Sequence, residues 1–243
     1  MISYTQHIVI LTICEIYIEN GEKMEDSYIF SRVDHTLLTP TATWTEIEKL
    51  CKEAIKYKTA SVCIPPTYVK RVRETFPDLT ICTVIGFPLG YDVLATKALA
   101  TQAALESGAN EIDMVINITE VKNGNYQLIK TEIQVLKQII GSRILKVIIE
   151  TCYLTQAEKI MLCDVITESG ADYIKTSTGF GTAGATIADI NLFKANIGKN
   201  VKMKAAGGIR TREDMVAFIE AGCDRLGTSS AVKILIEGKS DSY

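Results

Sequence analysis

The feature that most restricts the fold of this chain is a regular alternation between short apolar runs and longer amphipathic stretches. From Val33 onward, eight β-branched or apolar runs occur, and a stretch with helical periodicity follows each of them. The unit repeats roughly every 25–30 residues, the length of a strand–helix unit in a parallel sheet. The eight runs read RVDHTLL, ASVCI, TICTVIGF, EIDMVIN, LKVIIE, DYIKT, VKMKAA and RLGTS.

Eight such units within 243 residues indicate a (β/α)8 TIM barrel of the α/β class. The runs read as apolar throughout, which is typical of parallel strands buried on both faces. Periodicity does not decide whether the sheet closes, so a doubly wound open sheet is the alternative. Neither a proline-rich linker nor a run of charges divides the chain. We therefore predict a single domain.

The first 25 residues precede the repeating pattern and are predicted to be an N-terminal extension. The apolar run of residues 7–18 is too short to span a bilayer and contains Glu15. It also lacks the preceding Lys or Arg of a signal peptide. The extension is an extra strand or helix, a disordered segment, or the result of a mis-set start, with Met24 as the true one. The barrel domain, with a C-terminal tail, is predicted over residues 26–243.

The composition excludes several classes of function. A net charge of −3 provides no electrostatic basis for binding nucleic acid or an anionic membrane. The seven cysteines are an odd number without a C-x-x-C pair, and there are only two histidines. These counts argue against a disulfide framework and against a zinc site. We expect reduced thiols, a cytoplasmic protein, and neither a metal nor a cofactor.

A glycine-rich stretch, GFGTAG at residues 179–184, matches the G-x-G-x-x-G pattern of dinucleotide-binding loops. Such loops require an acidic residue about 20 positions further on, which holds the ribose of the cofactor. That region reads NIGKNVKMKAAGG and contains lysines but no carboxylate. The pattern therefore does not indicate a nicotinamide site.

Two lysines lie near the ends of the sixth and seventh predicted strands, Lys175 in YIKT and Lys204 in KMKAA. Catalytic residues of TIM barrels lie at the C-terminal ends of the strands. Burial and a nearby second ammonium both lower the pKa of an amine, and a neutral amine can form a Schiff base. The alternative is a pair of surface lysines at loop entries.

Asp113 lies within the apolar fourth run, where an unpaired carboxylate would be costly. One interpretation is a structural ion pair. The other is a group that orients the two lysines and transfers protons through water.

The loops after the seventh and eighth strands read AAGGIR and GTSSA, and both lead into predicted helices. Barrels commonly bind phosphate at these two loops, through backbone N–H groups at helix N-termini. No set of side chains has the spacing of metal ligands. The residues favour a lysine-centred, metal-free reaction on a phosphorylated carbonyl compound.

Six motifs resemble those of the deoxyribose-phosphate aldolase family, in order from about Val33 to the C-terminus. They are DHTLL (34–38), TVIGFPLG (83–90), EIDMVIN (111–117), KVIIETCYLT (146–155), YIKTSTGF (173–180) and KAAGGIRT (204–211). The resemblance implies a class I aldolase on a (β/α)8 barrel. Such an enzyme reversibly cleaves 2-deoxy-D-ribose 5-phosphate to acetaldehyde and D-glyceraldehyde 3-phosphate.

The resemblance also implies a role for individual residues. Lys175 matches the Schiff-base lysine, Lys204 the second lysine that lowers its pKa, and Asp113 the acid/base carboxylate. The positions implied for substrate and phosphate binding are Asp34, Thr36, Cys63, Thr178, Gly179, Gly207, Gly208, Gly227, Ser229 and Ser230.

Two positions qualify this assignment. Phe180 stands where some members of the family carry a basic residue, so phosphate binding would rely on backbone N–H groups and serine hydroxyls. Tyr243 ends the chain, as in some members whose tail folds over the site and assists proton transfer; a disordered tail is the alternative. We expect small-molecule substrates and a homodimer. Another Schiff-base aldolase, a phosphate-binding isomerase and a catalytically silent sugar-phosphate-binding barrel are the alternative functions.

Overall fold

A computed structural model describes residues 24–238, which form a closed barrel of eight strands in sequential order. Each strand pairs in parallel with its neighbours, and β1 pairs with β8 to close the sheet. The TIM barrel is therefore confirmed, and the open doubly wound sheet is excluded. The strands are β1 Val33–Thr36, β2 Ser61–Ile64, β3 Ile81–Ile85, β4 Glu111–Val115, β5 Ile144–Ile148, β6 Tyr173–Lys175, β7 Lys202–Ala206 and β8 Arg225–Thr228.

Helix α1 precedes β1, and one or two helices follow each strand and form the outer ring. They are α1 Asp26–Ser31, α2 Trp44–Tyr57, α3 Val69–Thr75, α4 Leu94–Glu106, α5 Ile118–Lys122, α6 Tyr126–Ile140, α7 Gln156–Ser169, α8 Ile187–Asn196, α9 Arg212–Ala221 and α10 Ala231–Glu237. The sequence determines several ends directly. Thr43 and Glu46 form the capping box that starts α2, and Gly170 ends α7 in a left-handed conformation.

The strands β4 and β5 alternate between two kinds of side chain, which corrects the expectation of runs that are apolar throughout. Ile112 and Met114 of β4 belong to the apolar core under the helices. Glu111 and Asp113 alternate with them and project into the barrel, where they meet Lys146 of β5. Side chains alternate in direction along a strand, so the helix side is apolar and the inner side carries the charges.

A separate small apolar cluster lies inside the barrel and comprises Cys63, Cys82 and Val84, with Leu38 and Phe87 packed against them. Below we call the space enclosed by the strands the lumen. Among the described residues, no helix has the length and apolar character needed to cross a membrane. The predictions for residues 1–23 and for Tyr243 lie outside the described residues.

Candidate active site

The carboxylate of Asp113 is the centre of the lumen. Its Oδ2 atom accepts hydrogen bonds from Lys175 Nζ and from Lys204 Nζ, each at 2.7 Å. Its Oδ1 atom accepts from Lys146 Nζ at 2.9 Å and from the thiol of Cys82 at 3.1 Å. Lys175 and Lys204 are register partners on β6 and β7, so the barrel places the two predicted lysines side by side.

A second layer of charge continues this network toward the N-terminal ends of the strands. Asp34 Oδ2 lies 2.5 Å from Lys204 Nζ, and Glu111 Oε2 lies 2.6 Å from Lys146 Nζ. Arg225 pairs with both carboxylates, and its Nη2 atom lies 3.1 Å from Glu111 Oε1. Asp34 thus lies in the ion network and is the counter-ion of Lys204 and Arg225.

Neighbouring cationic side chains hold the pKa values of two carboxyl groups in the lumen, those of Asp113 and Asp34, below the ordinary value. Burial by itself would raise the pKa of Asp113, but Lys146, Lys175 and Lys204 outweigh it and hold that pKa well below its ordinary value. Asp34 behaves in the same way, because Lys146, Lys204 and Arg225 overcome the effect of burial on its pKa.

The pKa of Lys204 differs from the sequence-based expectation. We expected burial and a neighbouring ammonium to lower the pKa of both lysines. Burial does act in that direction on Lys204, but the carboxylates of Asp113 and Asp34 outweigh it and raise its pKa above the ordinary value. The carboxylates therefore favour the charged form of Lys204, which is the opposite of the lowered pKa that we expected for this residue.

Lys175 has fewer acidic neighbours than the other two lysines. Its Nζ contacts one carboxylate within residues 24–238, that of Asp113. By contrast, Lys204 contacts two carboxylates, and Lys146 contacts those of Asp34, Glu111 and Asp113. Lys175 is also the one of the three with residual exposure, at 3% against 0% for the others. It is the amine that a molecule entering the lumen meets.

The glycines of GFGTAG pack the loop after β6 against the loop after β7. A Cβ atom on Gly184 would lie 2.2 Å from the carbonyl oxygen of Gly207, and one on Gly207 would lie 3.3 Å from the Cα of Gly179. Ala185 N donates to the carbonyl oxygens of Ala206 and Gly207, both at 3.1 Å. The pattern therefore reflects close contact between two loops, as its missing acidic partner suggested.

The Glu150 carboxylate holds the loop after β6 through hydrogen bonds from Thr178. Its Oε1 accepts from the backbone N–H of Thr178 at 3.1 Å, and its Oε2 accepts from the Thr178 hydroxyl. The Thr178 hydroxyl oxygen in turn accepts from the N–H of Phe180 at 3.0 Å. Burial raises the pKa of Glu150 above its ordinary value. Thr178 is thus buried as a support of the loop, whereas Gly179 and Phe180 are exposed at its tip.

The other predicted phosphate positions surround this tip. Gly207 and Gly208 have positive φ angles of 77° and 75°, and the carbonyl of Ile209 accepts from the Thr228 hydroxyl at the end of β8 at 3.4 Å. The loops after β6, β7 and β8 therefore meet at one rim. Ser229 is exposed and Ser230 is buried at the start of α10.

Three predicted residues have roles inside the barrel. A Cβ atom on Gly227 would lie 3.1 Å from Lys204 Cε, so this glycine makes room for the lysine. The hydroxyl of Thr36 donates to the carbonyl of Asp34 at 2.7 Å. Cys63 is fully buried in the lumen cluster.

The fold also assembles groups that resemble metal ligands, which the linear spacing did not reveal. Ligand atoms of Cys63, Cys82 and Asp113 lie within 4.8 Å of one another, as do those of Asp34, Cys82 and Glu111. The carboxylates in both groups already accept hydrogen bonds from ammonium or guanidinium groups. Their lone pairs are therefore committed to cationic side chains.

Sequence reasoning missed four lumen residues: Glu111, Lys146, Arg225 and Cys82. A signal for three of them was present. Glu111 lies two positions before Asp113, and Lys146 and Arg225 occupy the equivalent inner positions of β5 and β8. Applying the alternation of strand faces to each run would have found them.

Comparison with known proteins identifies the family of this chain. The family model of DeoC/LacD family aldolases matches residues 21–229. The chain belongs to this family. It is 58% identical over 221 residues to a deoxyribose-phosphate aldolase of Clostridium botulinum (strain Alaska E43 / Type E3), covering 90% of this chain and all of that one. It is 54% identical over 217 residues to one of Clostridioides difficile (strain 630), covering 89% and 99%.

Solved structures agree with the fold. The tetrameric deoxyribose phosphate aldolase of Aeropyrum pernix superposes with a TM-score of 0.80 at 32% identity, covering 87% of this chain and 91% of that one. An aldolase named QR15 superposes with a TM-score of 0.83 at 35% identity, covering 86% and 95%.

Proposed function

We propose that this protein reversibly cleaves 2-deoxy-D-ribose 5-phosphate to acetaldehyde and D-glyceraldehyde 3-phosphate through a Schiff base on Lys175. The observation that carries the proposal is the shared contact of Lys175 and Lys204 with Asp113 Oδ2, at 2.7 Å each. The names of the relatives support the substrate. The charge network supports the mechanism.

The Lys175 amine is the nucleophile in this mechanism. It attacks the carbonyl carbon of the sugar in the cleavage direction, or of acetaldehyde in synthesis, and loss of water leaves an iminium ion. Lys204 is less suited to this role, because two carboxylates stabilise its charged form, whereas among the described residues Lys175 contacts that of Asp113 alone. The positive iminium nitrogen then accepts the electron pair when the adjacent carbon–carbon bond breaks or a methyl proton leaves.

Asp113 is the base for that proton, and its neighbours control when it can bind one. Lys175 is one of the three cations that keep its pKa low. Removing the methyl proton converts the iminium ion into a neutral enamine, so the carboxylate loses a positive neighbour at that step. The proton affinity of the Asp113 carboxylate therefore rises during the same step. The proton reaches the carboxylate directly or through a water molecule. Lys204 remains beside Asp113 Oδ2 and stabilises the carboxylate when the proton leaves again.

The phosphate of the substrate binds, in this proposal, at the rim formed by the loops after β6, β7 and β8. The exposed backbone at Gly179 and Gly208 and the hydroxyl of Ser229 are available there. Phe180 offers no charge, and its ring contacts Phe87 edge-on at 5.3 Å. Binding would therefore depend on N–H and hydroxyl donors.

Borohydride reduction in the presence of acetaldehyde tests the nucleophile. Reduction of the iminium ion should leave an ethyl group on Lys175, found by peptide mass spectrometry. Lys204→Met is the matched variant: it retains the nucleophile, so an adduct should still form on Lys175, at a reduced rate. An adduct on Lys204, or no adduct from a folded protein that binds phosphate esters, would contradict the proposal. The second outcome would favour a silent sugar-phosphate-binding barrel.

We also propose that the protein is a cytoplasmic homodimer that binds neither nucleic acid nor membranes. The tetramer of the Aeropyrum pernix relative is a concrete alternative for the assembly. Sedimentation of the full chain at several concentrations would distinguish the two states.

A further inference from the structure

The two cysteines of the lumen face each other beside the proposed catalytic carboxylate, and the mechanism above uses neither thiol. Cys63 of β2 and Cys82 of β3 are register partners on adjacent parallel strands. Both are completely buried and belong to the same cluster inside the barrel. Their Sγ atoms lie within 4.8 Å of each other and of an Asp113 carboxylate oxygen.

We propose that Cys63 and Cys82 form an oxidisable dithiol, and that their disulfide reversibly disables the catalytic carboxylate. Adjacent strands lie about 4.7–4.9 Å apart, and a disulfide joins Cα atoms about 4.4–6.8 Å apart. The register therefore places the two Cα atoms at a separation that a disulfide can join. Both side chains lie on the inner face, so rotation about their Cα–Cβ bonds can bring the sulfur atoms together.

The environments of the two thiols give them different roles. The side-chain contact with Cys82 lowers the pKa of Cys63 below its ordinary value, and the nearby Lys204 and Lys175 act in the same direction, against burial and the Asp113 carboxylate. Burial raises the pKa of Cys82, and its contacts with Cys63 and Asp113 add to that effect. Cys63 is therefore the thiol that an oxidant attacks, and Cys82 is the resolving thiol.

The oxidant is a small hydroperoxide such as hydrogen peroxide. The Cys63 thiolate attacks one peroxide oxygen, the O–O bond breaks, and a sulfenic acid and hydroxide form. The Cys82 sulfur then attacks the sulfenic sulfur and displaces hydroxide, which leaves as water with the proton from the thiol. Two thiols and one peroxide thus give one disulfide and two waters. Access rests on the proposed function, since acetaldehyde, which must reach Lys175, is larger than hydrogen peroxide.

The disulfide would act on Asp113. Reduced Cys82 donates its S–H to Asp113 Oδ1 at 3.1 Å and accepts from Lys146 Nζ at 3.3 Å. A disulfide sulfur has no hydrogen to donate, so oxidation removes one of the four hydrogen bonds that orient the carboxylate. It also draws Cys82 toward β2 and away from Lys146.

The test uses the full-length protein, reduced, desalted and exposed to hydrogen peroxide, with free thiols then blocked by N-ethylmaleimide. Digestion without reductant should yield a peptide that joins Cys63 to Cys82, with the loss of two hydrogens. Activity on deoxyribose 5-phosphate should fall as this peptide appears and should return with dithiothreitol. Each variant is compared with its own untreated activity.

Cys82→Ser removes the resolving thiol. Peroxide should therefore over-oxidise Cys63 in this variant, and dithiothreitol should not restore the lost activity. Cys163→Ala is the matched control, because Cys163 is a buried cysteine on α7 in the outer core. It should retain both the linked peptide and the reversible loss.

Three results would overturn the proposal: oxidation without the linked peptide, a linked peptide with unchanged activity, or reversible inactivation of Cys82→Ser equal to that of the unaltered chain. If the reduced protein has no aldolase activity, the proposed function fails on its own. The linked peptide still shows whether the disulfide forms.

Discussion

The inner and outer faces of β4 differ in chemistry although both are buried. Ile112 and Met114 pack under the helices and are 0% exposed, as is Asp113 between them on the inner face. The outer positions bury apolar surface, which stabilises the fold. The inner charges are costly to desolvate, and a packed apolar lumen would serve stability at least as well. Burial of these charges is therefore better explained by the proposed catalysis than by stability.

The largest loss of activity should follow from substituting Lys175, the lysine on the inner face that carries the reactive amine. Lys175→Ala removes the atom that forms the covalent bond, so aldol cleavage should fall to the background rate. The fold should persist, because Asp113 still pairs with Lys146 and Lys204. Cleavage of deoxyribose 5-phosphate and circular dichroism measure the two properties. Measurable turnover by Lys175→Ala would place the nucleophile on another residue.

A smaller but still large loss should follow from Asp113→Asn, which preserves the shape of the side chain and removes its basicity. General acid–base groups contribute roughly 10²–10⁴-fold to rate, so kcat should fall by about that factor. The change should also slow the exchange of acetaldehyde methyl protons with deuterium, measured by NMR. An unchanged exchange rate in a folded variant would remove Asp113 from the proton transfer.

Much of the barrel and part of its site could be predicted from the sequence. Repeating strand–helix units predicted the eight strands, and the ends of β6 and β7 predicted that Lys175 and Lys204 would be neighbours. The raised pKa of Lys204 could not be predicted, because it depends on Asp113 and Asp34, which lie 91 and 170 residues away in sequence. Cys82 was missed for a related reason: the strand pairing that brings it to Cys63 and Asp113 is not visible in the linear spacing.

The next prediction concerns stability rather than turnover. Asp34 is the counter-ion of Lys204 and Arg225, and Asp34→Asn leaves both short of negative charge. Breaking a buried ion pair in this way costs about 3–5 kcal/mol in free energy of unfolding. Urea unfolding at pH 7 should show the loss.

The pH dependence of that loss follows from the sign of the pKa shift. The folded-state pKa of Asp34 lies below its ordinary value of 3.8, so its ionised form stabilises the fold above pH 3.8. This contribution is lost as the pH falls below that value toward the folded-state pKa. The difference between Asp34→Asn and the unaltered chain should therefore narrow in acid. A difference that stays constant from neutral pH into this acid range would argue against the ion network as its source.

The smallest change in stability should come from a substitution on the outer face of β4. Ile112→Val removes one methylene beside Asp113 in sequence and should cost about 0.5–1.5 kcal/mol in free energy of unfolding. Its kcat should be unchanged below the unfolding transition, because the removed atom packs in the outer core under the helices. Substitutions at adjacent residues of one strand would then have opposite profiles: position 112 would affect stability alone, and position 113 would affect catalysis foremost. A loss of kcat in Ile112→Val comparable to that of Asp113→Asn would mean that outer packing positions the carboxylate, and the division between the two faces would fail.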